Sequence, residues 1–251
     1  MQDDLEQIIA FEAQEIHYQS PPSDDNPRSG ITIREGSIPI MFSAPHACRH
    51  KRANRWKQED EYTAAIAEWL HRTTGAHAIY LTHQINPDPH DDGPQNAYKQ
   101  VLADFLKEQE HPVRLVIDLH GTRPDRDFGL ALGTMKGRSC PQYQPLLLEQ
   151  FEAHGFRIDE DDAITDRMDR LAVDHPRYTG GLSRPTITRF VFQELGLPAV
   201  QIELNARIRI VKRLPKSTNA LRNRAPNFEG DVVRFRRAID ALAAIALKIS
   251  Q

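Results

Sequence analysis

Residues 113–122 read VRLVIDLHGT, an apolar run that closes on Asp118, His120 and Gly121. Such a run, without polar alternation, belongs to a strand buried on both faces in the middle of a sheet that helices cover. The flanking sequence supplies those helices. On the amino side, residues 96–109 (NAYKQVLADFLKEQ) carry apolar residues at helical spacing and must stop before Pro112. Before them, residues 77–83 (HAIYLTH) read as a short strand and residues 59–73 as a helix, with Gly75 placed as its stop. Further upstream, residues 31–35 (ITIRE) and 38–44 (IPIMFSA) are expected as two strands joined by a tight turn at Gly36-Ser37. On the carboxyl side follow a strand at 128–133, a helix at 143–154, a helix at 184–196, a buried strand at 197–205 (LPAVQIELN) and a long closing helix over 229–249. Strands alternating with helices predict one layered α/β domain with a mixed, mostly parallel central sheet. Residues 1–30 are expected as a loosely ordered N-terminal arm, because QSPPSDDNPRSG offers little to bury, and residues 31–251 as the folded domain. The polar stretch 159–184 reads as a long functional loop or irregular insertion.

Composition bounds the function. With 251 residues, 39% of them hydrophobic, the chain can bury a sizeable core. Thirty-two basic against 35 acidic residues give a net charge of −3, which argues against a nucleic-acid binder that works through a broad basic surface. No apolar run approaches the roughly 20 residues of a membrane span. The acidic start MQDDLEQIIA lacks the basic opening of a signal peptide, and two cysteines, Cys48 and Cys140, make no disulfide framework. The expectation is a soluble, cytoplasmic protein without nucleic-acid or membrane partners; partner proteins are not indicated.

In open α/β sheets ligands bind outside the carboxyl ends of the strands. Residues 38–44 lead into Pro45-His46-Ala47-Cys48, residues 113–119 into His120, and residues 197–202 into Glu203-Leu204-Asn205. Three strands thus each deliver a metal-capable or acid/base group. Glu59 and Asp60 add carboxylates at the start of the helix after His46. Two imidazoles and one carboxylate are a common catalytic zinc set that leaves a position for water, and a further carboxylate such as Glu203 would accept the water's proton. Plainer roles stand beside these: surface or core histidines, acids favouring a helix N-terminus, and Glu203 as an arginine's partner.

The ordered set Ser43-Ala44-Pro45-His46, Glu59-Asp60-Glu61-Tyr62-Thr63, Asp118-Leu119-His120-Gly121-Thr122 and Gln201-Ile202-Glu203-Leu204-Asn205 resembles the N-formylglutamate amidohydrolase family, itself similar to zinc carboxypeptidases and aspartoacylases, over residues 38–210. The resemblance implies a zinc-carboxypeptidase-like three-layer α/β/α domain with one zinc ion per chain. It implies His46 and His120 as ligands with Glu59 as the third, Asp60 being the alternative; Glu203 as general base and acid; and Asp118 as an acceptor that orients a ligand. It also implies a small acidic N-acyl amino acid as substrate, cleaved at a C–N amide bond by metal-bound water. An arginine clamp for its carboxylate is then expected. Arg49, Arg52, Arg123, Arg126, Arg207 and Arg209 follow the three motifs, with Arg126, Arg207, Arg209, Tyr178 and Asn205 as the substrate-binding set. The segment from Arg177 to Gly181 reads as a surface loop or as a lid on its glycine hinges, which would carry Tyr178 toward a developing oxyanion. His50 lies four residues after His46, a spacing with no ligand geometry on a loop. The alternatives are a metallocarboxypeptidase or γ-glutamyl peptide hydrolase at the same site, and a non-catalytic domain that binds a small ligand or a protein.

Overall fold

The structure is a computed structural model that describes residues 2–24, 26–93, 96–158, 166–218 and 229–251. Its centre is one mixed sheet in the order β1-β5-β2-β6-β10-β7-β9-β8. Four central strands run parallel: β5 (Ala76–Leu81), β2 (Ile38–Ala44), β6 (Leu115–Thr122) and β10 (Ala199–Asn205). All but three of their residues are buried, as the unalternating apolar runs predict. β1 (Ile31–Arg34) joins one edge antiparallel to β5. On the other side the direction reverses: β7 (Leu130–Gly133) is antiparallel to β10, and β9 (Arg170–Val173) and β8 (Arg157–Ile158) run parallel to β7.

Helices α2 (Thr63–Thr74), α4 (Gln144–Ala153) and α7 (Val232–Ser250) pack together on one face. Helices α3 (Ala97–Glu108) and α5 (Ile187–Glu194) cover the other, completing three layers. The signals are local. Asp231 caps α7 by accepting from the N–H groups of Val233 and Arg234, and Phe235, Ala238, Leu242, Ile245 and Ile249 form its buried stripe. Gly75, at φ 77°, closes α2 with its N–H on the His71 carbonyl. Among the described residues no helix is long and apolar enough to cross a membrane.

Several local expectations are corrected. Strands β1 and β2 form no hairpin, because β5 lies between them: the Ser37 and Ile38 N–H groups donate to the Gly75 carbonyl at 2.7 and 3.2 Å, which steers the connection past the start of β5. The first thirty residues are not a loose arm. Residues Gln2–Glu15 form α1, which packs on α2 and buries Ile8 and Glu12, while Ile16 and Tyr18 anchor the connection that follows. The polar stretch 159–184 contains β9, a full member of the sheet; its residues 159–165 lie outside the described residues. A small hairpin of β3 (His50–Arg52) and β4 (Arg55–Lys57) follows His46, and α2 begins only at Thr63, so Glu59 and Asp60 precede the helix.

Candidate metal centre

Because β5, β2, β6 and β10 are parallel, their carboxyl ends open on one edge of the sheet. Register places Glu203 opposite His120 and Ser43 opposite Asp118. His46 follows β2, and the Asp60 N–H donates to the His46 carbonyl at 2.8 Å, fastening the two segments together. The Asp60 carboxylate then lies 3.9 Å from His46 Nδ1 and 3.5 Å from His120 Nδ1. The other ring nitrogens face carboxylates behind them. His46 Nε2 is 2.9 Å from Asp88 Oδ1, and His120 Nε2 is 3.1 Å from Asp118 Oδ2, within ion-pair range but off-line for a hydrogen bond. Asp118 is fixed in turn by the Thr188 N–H and hydroxyl at 3.3 and 3.2 Å and by the Ser43 hydroxyl at 3.4 Å. Two imidazoles braced from behind by acids, with their Nδ1 atoms turned to a third acid, have the arrangement of oriented metal ligands.

The neighbouring acids of the 59–60 pair point to different places. Glu59 is buried and accepts from the Thr218 N–H and hydroxyl, and burial raises its pKa. Asp60 keeps 18% of its side-chain surface open and is the carboxylate that faces both imidazoles. Residues ahead of a helix do not follow its 100° register, so the choice is made by what each side chain meets.

Opposite charges face one another across this cluster. Burial would raise Asp60, but the His120 hydrogen bond and the His46, His120 and Arg209 charges hold it at about 2. Burial would lower His120, but Asp118, Asp60 and Glu203 raise it to about 10. His46, His120 and Asp60 are donors of the type zinc takes, and a divalent ion held by them would bring positive charge to the surrounding acids. Glu203, buried on the strand beside His120, is pushed up by burial against the pull of His120 to about 7, and its Oε1 accepts from Gln201 Nε2 at 2.8 Å. An acid poised there can both take and return a proton near neutrality.

Three residues of this cluster escaped the reading of strand ends. Asp88 and His90 sit in the loop after β5, whose sequence NPDPHDD reads as an ordinary turn. Their signal is only that β5 is one of the four parallel strands. His50 stacks on His46 with ring centroids 3.9 Å apart, and its Nε2 lies 3.6 Å from Asp88 Oδ2; Arg52 also binds that oxygen. The His90 ring is 4.3 Å from His46 and 4.9 Å from His120, and one ligand atom from each of these three residues falls within 4.8 Å of the others.

The remaining expected site residues divide. Tyr178 lies across the sheet face beside Phe128 and Ala131, takes a hydrogen bond from Arg126 Nε at 3.0 Å, and is raised by burial and by Glu203. Exposed Arg184 acts electrostatically on both Glu203 and Tyr178. Asn205 is buried and gives its amide to the Phe128 carbonyl at 2.9 Å while capping α6 (Ala206–Arg209). Arg207 reaches the Pro124 carbonyl at 3.1 Å. Arg209 is buried and bonded to the Glu61 carbonyl; a Cβ on Gly121 would fall 2.5 Å from its guanidinium. Arg49 stacks on Trp56, and Arg123 pairs with Asp125. The Cys48 thiol is buried and pushed well up by burial, unlike a reactive thiol. The segment read as a lid is tied down: the Gly180 N–H donates to Gln201 Oε1 at 3.1 Å, and the Met135 N–H to the Thr179 carbonyl at 2.9 Å.

No protein-family model and no curated protein matches the chain by sequence. Solved structures do match in shape. A bacteriophage poly-γ-glutamate hydrolase is 12% identical over 87% of this chain and 87% of its own, with a TM-score of 0.52. N-formylglutamate amidohydrolase from Ralstonia eutropha JMP134 is 13% identical over 88% and 96%, with a TM-score of 0.51. The Legionella pneumophila LapA aminopeptidase is 11% identical over 100% and 71%, with a TM-score of 0.51. At these identities the shared property is the fold, the α/β/α architecture that the four motifs imply.

Proposed function

We propose that this chain is a metal-dependent hydrolase of a C–N amide bond in a small acidic acyl-amino acid. The observation that carries the reading is the Asp60 carboxylate set 3.9 Å from His46 Nδ1 and 3.5 Å from His120 Nδ1 at the carboxyl edge of the sheet, with Glu203 on the adjacent strand. His46, Asp60 and His120 would hold the cation, the carboxylate being Asp60 in place of Glu59. A divalent ion there would bring the pKa of a water toward 7 and polarise the amide carbonyl. Glu203 accepts the proton released on attack and returns it to the leaving nitrogen. Asp88 and Asp118 hold the two imidazoles in register from behind. Arg126, with Tyr178 hydrogen-bonded to it and Arg184 nearby in charge, supplies the cationic rim for a substrate carboxylate. The fold shared with an N-formylglutamate amidohydrolase supports the acyl-amino acid. The poly-γ-glutamate hydrolase of the same fold supports a second reading, cleavage of a γ-glutamyl peptide bond at the same site.

The test is metal content by elemental mass spectrometry on protein purified without added metal or a metal-binding tag, followed by hydrolysis of a panel of formyl-, acetyl- and γ-glutamyl-amino acids and peptides. About one divalent ion per chain, lost in both His46→Ala and His120→Ala, with turnover of one member, is expected. Arg126→Ala should then raise KM about 10- to 100-fold, as loss of a charged hydrogen bond does. A wild-type protein that takes up no metal after zinc add-back would overturn the reading.

A further inference from the structure

His90 is the least satisfied side chain of the cluster. It is 5% exposed, and neither Nδ1 nor Nε2 has a hydrogen-bond partner among the described residues. Burying such polar atoms without partners destabilises the fold unless a ligand satisfies them. Yet the backbone that carries the ring is clamped. The His90 N–H donates to Asp88 Oδ1 at 2.9 Å, and Lys99 Nζ donates to the His90 carbonyl at 3.2 Å. The Asn96 amide binds the carbonyls of Asp88, Pro89 and Asp91 at 3.0, 3.0 and 2.8 Å. A loop fixed this firmly places an unpartnered imidazole against His46 and His120, whose own backing carboxylates leave their Nδ1 atoms facing inward.

We propose that His90 is a third imidazole ligand of the cation, giving a set of His46, His90, His120 and Asp60. This rests on the metal-centre reading above and extends it to a residue outside the motifs. Four protein donors would leave a fifth position for water, a coordination number that zinc can reach. A nitrogen-rich set of this kind also accommodates iron, cobalt or nickel. The other close group, His46, His50 and Asp88, is a bracing network and no second cation site: Asp88 already carries Arg52, and the His46 nitrogen toward it is the one hydrogen-bonded to Asp88.

X-ray absorption of the zinc-loaded wild-type protein counts imidazoles directly, through the multiple scattering of their rings. Three are expected, falling to two in His90→Gln. Competition with a chromogenic chelator should show affinity in His90→Gln reduced at least about tenfold, the least that losing even an outer partner costs. The cobalt-loaded variant should gain visible-band intensity as coordination drops from five to four. Two imidazoles in wild type, with His90→Gln unchanged in affinity and cobalt spectrum, would overturn the inference and leave the His46–Asp60–His120 site standing. Zinc uptake absent from wild type would remove both. If His90→Gln fails to fold, as judged by circular dichroism of the metal-free protein, the wild-type imidazole count decides alone.

Discussion

Two enclosed carboxylates show what burial does alone and what it does in company. Glu12, on α1, is fully buried and accepts from the Tyr18 hydroxyl and the Tyr62 N–H, each at 2.6 Å. Burial outweighs these bonds and the Lys216 charge, and its pKa rises to about 7. Asp60, in the segment between β4 and α2, is held at about 2. The difference lies in the neighbours. Glu12 meets mostly neutral donors, whereas Asp60 meets two imidazoles, one of which, His120, other acids keep basic. A carboxylate that stays charged when enclosed marks where positive charge belongs, and one that gives up its charge marks a place where shape matters more.

The largest effect expected from this contrast lies on the proton-transfer side. Glu203→Gln should lower kcat by about 10²–10⁴-fold while leaving metal content at the wild-type value, because the residue moves protons without holding the ion. Turnover at the wild-type rate would break the assignment. Next, the two adjacent acids should separate: Asp60→Asn is expected to weaken zinc binding by about 100-fold or more, and Glu59→Gln to leave it unchanged, in chelator competition. Equal losses would mean that the pair acts as one.

The smallest effect is on stability, at the other carboxylate. Glu12 titrates in the folded protein near 7, above the ordinary value of 4.5, so between those values the folded state binds the extra proton. Stability is therefore greatest below about pH 4.5 as far as this group is concerned, falls as pH rises through 7, and is flat above it, by at most about 3 kcal/mol. In urea titrations at pH 5 and pH 8, Glu12→Gln should remove this part of the difference between the two conditions. An unchanged pH dependence would show that Glu12 ionises in the fold as it does in the unfolded chain.

The legible parts were those written locally. Uninterrupted apolar runs mark the central strands, and the groups at their ends, His46, His120 and Glu203, are brought to one edge because the strands are parallel. What was hidden depends on distant partners. Asp60 rather than Glu59 faces the imidazoles because Thr218, far along the chain, takes Glu59. Asp88 and His90 sit in a loop of turn-forming residues whose importance follows only from where β5 pairs. Helix α1 was missed for a different reason: Leu5, Ile8 and Ile9 have helical spacing, but the proline-rich stretch after them dominates the composition of the first thirty residues.

The meeting of Gly133 and Gly180 has a consequence for how this protein can be altered. A Cβ on Gly133 would fall 2.3 Å from the Gly180 nitrogen, and Gly180, at φ 73°, would set its own 2.5 Å from the Gly133 carbonyl oxygen. The strap that carries Tyr178 is thus seated on the sheet by main-chain contact. Side chains add to that seat, Tyr178 packing on Phe128 and Ala131 and Thr179 Oγ1 accepting from the Leu182 N–H at 3.3 Å, so of residues 177–179 it is the exposed Arg177 whose side chain can be exchanged without loosening the strap. A new side chain can be installed at position 177 on a main-chain mounting that the exchange does not touch.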